Sequence, residues 1–251
     1  MTKAEQKKRF GRMPNTKVNT DIMIEEEITV TTQPVSIDWR DLGGVNPVQD
    51  QGQCGSCWAF SATAVMEGAH FVKTGKLLKL SEQQFVDCVW YASGCNGGYE
   101  KMAFEYAMYN PQELETSYPY TATTNKCSAD TTKEIVKVTY KIISVVPQSV
   151  ELLKDAIIAQ PTAVAVDASD SQFMYYTGGI LNTTTCGGAT PDLNHAITAV
   201  GYGIENGEKY FIVRNSWSAS WGEAGYIRIA TAVHGNGVCG ILMDASRVTT
   251  D

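Results

Sequence analysis

The chain has 251 residues, enough for one large domain or two smaller lobes, and its 43% hydrophobic and 19% charged residues are ordinary for a globular protein. A net charge of −7 excludes the basic footprint that nucleic-acid phosphates demand, and no apolar run reaches the roughly 20 residues that span a bilayer. Seven cysteines are many for a reducing compartment and fit an oxidising one, and their odd number leaves one thiol unpaired.

Charge is unevenly spread. Residues 1–12 carry Lys3, Lys7, Lys8, Arg9 and Arg12 against Glu5, a net of +4, so the remainder carries −11. This stretch has no apolar run of the signal-peptide kind. Residues 15–32 are polar with scattered apolar side chains and read as an extended linker rather than a core element. The globular pattern begins near Pro34.

Residues 51–58 read Gln-Gly-Gln-Cys-Gly-Ser-Cys-Trp and run into a helix predicted over 57–70, largely apolar and therefore central. Cys57 stands where a glycine-containing loop becomes a helix, so exposed amides and the positive dipole end favour a thiolate there, which is the setting of a nucleophile. Cys54 leaves the C-x-x-C open to two other readings, a redox pair or half of a zinc site. Ser81-Glu82-Gln83-Gln84 has the form of a capping box and starts a short helix ending near Asp87 and Cys88. Met102, Ala103, Tyr106 and Ala107 at helical spacing predict a helix over 99–109, stopped by Pro111.

The second half changes period. Residues 134–146 alternate weakly, and 149–160 form a helix closed by Pro161. Residues 162–167, 196–202, 209–213 and 226–230, rich in Val, Ile and aromatics and separated by glycine-containing turns, are predicted strands. A helical half followed by a β half predicts an α+β protein of two lobes with a cleft where they meet.

Of the three histidines, His70 in the central helix and His234 in a glycine-rich loop read as packing or surface residues. His195 is different, because it opens a strand 138 residues beyond Cys57, while Asn215 lies 158 beyond it. A nucleophile set in Cys-Gly-Ser/Ala-Cys-Trp/Tyr has its His and Asn roughly 130–150 residues downstream. The histidine fits, and the asparagine overshoots slightly.

Four blocks occur in order: residues 51–60; Cys95-Asn96-Gly97-Gly98; Asn194-His195-Ala196 with Gly201-Tyr202-Gly203; and Asn215-Ser216-Trp217 with the run from Trp221 to Arg228. From about residue 33 to the C-terminus the chain resembles the papain-like cysteine proteases, closest to the cathepsin L-like endopeptidases. The resemblance implies an α+β papain-like fold with a helical left lobe (about 42–146) and a β-barrel-like right lobe (about 33–41 and 147–251), the active-site cleft between them, and no cofactor or metal. It makes Cys57 the nucleophile, its thiol pKa brought to about 3–4 by a neighbouring imidazolium. His195 is then the partner and general acid, Asn215 holds its ring in register, and Trp217 shields that bond from water. Gln51 offers its side-chain amide, with the backbone N–H of Cys57, as an oxyanion hole.

By the family's pattern Cys54 pairs with Cys95, Cys88 with Cys127 and Cys186 with Cys239; Cys57 stays free, which removes the redox and zinc readings. The resemblance also has Gly97 and Gly98 present bare backbone to an extended peptide. Tyr99, Glu100, Ala165, Leu193, Ala196 and Asp244 line the pocket for the residue second from the cut, and Asn194, Trp217 and Trp221 border the cleft. Asp244 at the pocket floor is read as admitting Arg or Lys beside apolar residues; the alternative is a solvated Asp near the C-terminus. The spacing of Cys88, Cys95 and Cys127 leaves no room for the insertion that makes cathepsin B a carboxydipeptidase, so an endopeptidase is favoured. Ser218 and Ser220 stand where the family has glycines, and the loops before His195 and Asn215 are slightly long, departures that bear on the leaving-group side of the cleft around Trp221.

Residues 1–32 resemble the tail of the family's inhibitory propeptide, without its helical front or a signal peptide; the alternative is an unrelated basic tail. On the first reading, residues 15–32 lie through the cleft and the +4 end is held against the acidic domain until acid weakens the attraction, so processing near Gln33 speeds up as pH falls. Asn182-Thr183-Thr184 is a glycosylation sequon. The resemblance implies the secretory pathway, with lysosomal, vacuolar or secreted destinations. The implied partners are protein or peptide substrates, the chain's own propeptide and cystatin-type inhibitors, with no nucleic acid and no membrane, and the chain is a monomer. Two competing readings are a catalytically silent papain-fold peptide-binding protein, against which intact Cys57, His195, Asn215 and Gln51 argue, and a C-x-x-C oxidoreductase, which needs Cys54 and Cys57 both free.

Overall fold

In the computed structural model, which describes residues 3–13, 20–25, 32–231 and 235–251, the chain opens with helix α1 (Lys3–Lys7), strand β1 (Met23–Glu25) and strand β2 (Ile37–Asp38). Helices α2 (Cys57–Thr74), α3 (Glu82–Cys88) and α4 (Glu100–Tyr109) follow, then strands β3 (Gln112–Glu113), β4 (Glu134–Val136) and β5 (Val138–Val145). After α5 (Val150–Ala159) come β6 (Thr162–Val166), α6 (Ser171–Met174), β7 (Ile180–Leu181), β8 (His195–Glu205), β9 (Glu208–Arg214), β10 (Tyr226–Ala230) and β11 (Ala245–Thr250).

The α+β architecture is organised by α2. This helix is buried from Cys57 through Ala69, so it has no solvent stripe over that length and must be covered on all sides. It packs against α3 and α4 on one side and against β6, β8 and β11 on the other. Its small residues let both sides approach: a Cβ on Gly68 would lie 2.6 Å from the ring of Pro161. Two apolar cores result, one holding Met66, Phe85 and Phe104 among the helices, the other Leu153, Phe173 and Phe211 against the sheet. At its end Gly75 turns left-handed (φ 73°) and its N–H caps Phe71 O, the glycine-terminated stop expected of a helix.

The sheet has nine strands in the order β1-β5-β11-β6-β8-β9-β10-β7, with β2 added to β8; a two-stranded sheet joins β3 and β4. β8 and β9 form a hairpin whose two loop residues, Asn206 and Gly207, both have positive φ, the pairing that matches the twist of adjoining strands. Cys54–Cys95 and Cys88–Cys127 staple the helical lobe, Cys186–Cys239 staples the β lobe, and Cys57 is the free thiol.

The structure revises three sequence expectations. Ser81 accepts from Gln84 N–H, but the Gln84 side chain accepts from Glu113 N–H and donates to Pro111 O, so only half of the capping box forms. β11 was not anticipated, since Ala-Ser-Arg-Val-Thr-Thr is weakly apolar and its partners β5 and β6 lie some 80–110 residues upstream. Residues 20–25 do not lie through the cleft: Met23–Glu25 pair in parallel with Ile142–Ser144 on the edge of β5. Residues 14–19 and 26–31 of the expected linker, and His234, are outside the described residues.

Candidate active site

Three segments separated in sequence meet at the N-terminus of α2. Cys57 is its first residue, so the positive end of the helix dipole and unpaired first-turn amides lie at the sulfur. His195 opens β8, where pairing with Val166 fixes its backbone. Asn215 follows β9, the neighbour of β8, and its Oδ1 lies 2.8 Å from His195 Nε2. That oxygen also accepts from Ser216 N–H at 2.8 Å, which fixes the amide with its oxygen toward the imidazole. The Trp217 ring lies 4.6 Å from the His195 ring, centroid to centroid.

Gln51 is clamped from both ends. Its Oε1 accepts from Ser216 Oγ at 2.6 Å, which turns Nε2 inward, where it donates to Cys54 O and Arg9 O. Its backbone N–H donates to Ser216 O, and its carbonyl accepts from Tyr120 Oη at 2.8 Å. Sequence reasoning passed over Ser216 and Tyr120; Ser216 was visible in Asn-Ser-Trp, but nothing local in Tyr118-Pro119-Tyr120 reveals a contact 69 positions away.

Residues 9–13 lie across this constellation. Phe10 sits with its ring 6.3 Å from the His195 ring and 6.1 Å from that of Trp217. Gly98 N–H donates to Gly11 O, Met13 N–H donates to Gly98 O, and Arg12 N–H donates to Asn194 O. The segment therefore runs parallel to Gly98 as an added strand. Only glycine fits at position 11, since a Cβ there would lie 1.7 Å from Gly55 O. Covered in this way, Cys57 and His195 are wholly buried. Burial pushes the Cys57 thiol up to about 11, against the backbone N–H groups of Ala196 and Gly11, and burial lowers His195 to about 4 despite its bond to Asn215. Burial thus disfavours charge on both groups while the segment is seated.

Residues 33–249 match the family model described as papain family cysteine protease. The chain belongs to the papain family. Among curated relatives it is 47% identical over 218 residues to a KDEL-tailed cysteine endopeptidase of Arabidopsis thaliana, covering 85% of this chain and 59% of that protein. It is 44% identical to digestive cysteine proteinase 1 of Homarus americanus, covering 85% of this chain and 66% of that one, so it spans less than two thirds of either relative. Among solved structures it is similar to the bromelain protease of Ananas comosus in complex with the E64 inhibitor (TM-score 0.80, 44% identity, 86% of this chain and 99% of that one). It is also similar to digestive procathepsin L 3 of Tenebrio molitor larval midgut (TM-score 0.90, 35% identity, 99% and 79%). These likenesses support the two-lobe papain-like fold.

In this papain-family chain the pocket beside Gly98 holds the Arg12 side chain. Arg12 Nε donates to Glu100 Oε1 at 3.2 Å, Nη2 to Asp244 Oδ2 and Nη1 to Leu193 O, while the guanidinium lies 5.0 Å from the centre of the Tyr99 ring. Ala165 and Ala196 are buried cross-strand neighbours on β6 and β8. Asp244 is no solvated terminal residue, since it also accepts from Tyr99 Oη and from Lys101 Nζ. Burial works to raise its pKa, but Lys101, Arg12 and the Tyr99 hydroxyl outweigh it and hold the carboxyl below its ordinary value. Burial, helped by Asp244, raises Glu100 against the opposing pull of Arg12. Lys101 escaped sequence reasoning; its place in the first turn of α4 beside Glu100 was the available signal.

On the other side, Trp221 packs edge-on to Trp217 at 5.4 Å and its Nε1 donates to Met174 O. Ser218 holds the left-handed φ (74°) that glycine adopts freely, and its N–H donates to Gln49 O. Asn182 is exposed after β7, with Glu208 as neighbour.

Proposed function

We propose that the chain is the latent form of a cysteine endopeptidase, with residues 1–32 an inhibitory pro-segment and residues 33–251 the peptidase domain. The observation that carries this reading is that one backbone carbonyl, that of Arg9, already accepts from Gln51 Nε2 beside Cys57, His195 and Asn215. In catalysis the Cys57 thiolate attacks the scissile carbonyl carbon, and the oxyanion accepts from Gln51 Nε2 and Cys57 N–H. His195, its Nε2–H held by Asn215, delivers the proton to the leaving amine, leaving a thioester. The same imidazole then takes a proton from water, which attacks the thioester and frees the acid and the thiol. A substrate lies along Gly97 and Gly98 and places its second residue from the cut between Glu100 and Asp244. The seat of Arg12 supports a preference for arginine there, because three of its nitrogens find separate acceptors.

A secretory-pathway destination, vacuolar, lysosomal or secreted, fits three disulfides and relatives named as KDEL-tailed or digestive enzymes. Exposed Asn182 is then the glycan acceptor. Partners on this reading are peptide substrates, the pro-segment and cystatin-type inhibitors, acting on a monomer. The test is labelling by an epoxide-type thiol inhibitor. The acid-processed protein is expected to take one label, the unprocessed chain far less, and Cys57→Ala none. An unlabelled processed wild type, or a labelled Cys57→Ala, would defeat the proposal.

A further inference from the structure

Between α2, β8 and the end of β9 lies a small cavity with about 10 Å³ of room for the centre of a water molecule, bordered among others by Gln49, Ser61, Thr198, Arg214 and Asn215. That is space for one water and not for a substrate. Three polar atoms of its lining are buried without a partner among the described residues: Gln49 Oε1, Arg214 Nε and Asn215 Nδ2. Arg214 and Asn215 are 5% and 3% exposed, so bulk water does not serve them. The two hydroxyls are already engaged, Ser61 Oγ donating to Ile197 O at 2.8 Å and Thr198 Oγ1 to Ser61 Oγ at 3.4 Å. Buried polar groups are almost always paired, so three orphans around one cavity require a common partner.

We propose that this cavity holds one structural water that accepts from Arg214 Nε–H and Asn215 Nδ2–H and donates to Gln49 Oε1, making Gln49 and Arg214 positioning residues for the amide that orients His195. Three bonds are what a buried water makes. The donor and acceptor count also balances: two N–H groups meet the two lone pairs of the oxygen, and one O–H meets the only orphan acceptor. Arg214 is tethered independently, its Nη2 donating to Pro47 O at 2.7 Å, so the water has a fixed anchor.

The consequence runs through Asn215. Its Oδ1 faces His195 Nε2 at 2.8 Å, and only that orientation serves a protonated ring; turning the amide over would set N–H against N–H. Ser216 N–H holds the oxygen end, and the water holds the nitrogen end. Loosening the nitrogen end weakens the support of the imidazolium, so the imidazolium is lost at lower pH.

The inference rests on the peptidase reading for its kinetic arm but not for its structural one. A crystal structure of the full chain is expected to contain a water within hydrogen-bond distance of all three atoms; a dry cavity overturns the proposal whatever the enzyme's activity. In the acid-processed protein, Gln49→Met removes the acceptor and Arg214→Lys keeps the charge but removes Nε. Each is expected to lower kcat about three- to tenfold with KM within twofold of wild type, and to move the basic limb of the kcat/KM profile to lower pH. A profile superimposable on wild type for whichever variant folds overturns it. A wild type that is itself inactive after processing would count against the peptidase proposal and leave the crystallographic arm to decide this one.

Discussion

A pair of acids and a lysine set the charge of the pocket beside Gly98. With Arg12 seated, Glu100, Asp244, Lys101 and Arg12 sum to zero charge; with Arg12 withdrawn, one negative charge remains in a largely buried place. A substrate arginine restores the balance, and an apolar residue does not. Cleavage of an Arg-Arg reporter peptide is therefore expected to match or exceed that of Phe-Arg. Asp244→Ala should lower the Arg-Arg rate by roughly 2 kcal/mol, about thirtyfold, with much less effect on Phe-Arg. No Arg-Arg cleavage, or no change on Asp244→Ala, would remove Asp244 from specificity. The two acids were legible in the sequence, while their partner Arg12 was not, because a contact across 232 positions has no local sign.

At the scale of elements, two serines hold helix starts with different stakes. Ser149 accepts from Leu152 N–H at 3.1 Å and begins α5. Ser81 accepts from Gln84 N–H and also donates to Tyr118 O at 2.6 Å, fully buried. Ser149→Ala is expected to cost about 1 kcal/mol, read as a Tm lower by roughly 2–4 °C. Ser81→Ala should cost about twice that, because a buried carbonyl also loses its donor. Equal losses in a calorimetric comparison would mean that the Tyr118 bond contributes nothing. Helices whose starts are set by a neighbouring side chain were placed correctly to within a few residues. β11 was missed because its order comes from β5 and β6 rather than from its own composition.

For the molecule as a whole, the proposed pro-segment is expected to loosen its hold on the cleft as pH falls. Arg12 and Lys101 hold the Asp244 carboxyl below its ordinary value against the opposing effect of burial, so withdrawing Arg12 lets Asp244 bind its proton more tightly. Covering also lowers His195 from 6.5 to about 4. Both His195 and Asp244 are then expected to take up protons on uncovering, so docking weakens as pH falls. The His195 contribution is lost from about pH 6.5 down to 4, and that of Asp244 goes below its ordinary 3.8. Processing near Gln33, followed by gel, is expected to be several times faster at pH 4.5 than at pH 7.5. Equal rates would show that proton uptake does not release the segment.

The sequence by itself determined the family blocks, the helical-then-β order and the candidate residues for the proposed chemistry, because those signals are local: a thiol at a helix start, a capping serine, alternating strands, an Asn-Ser-Trp run. It also placed a basic segment ahead of an acidic domain. Only the tertiary structure showed that residues 9–13 cross the cleft and that residues 23–25 pair instead with the edge of β5. Gly11 alone in that stretch can pass Gly55, and Arg12 finds its acids in α4 and just before β11, two places joined only by the packing of the lobes.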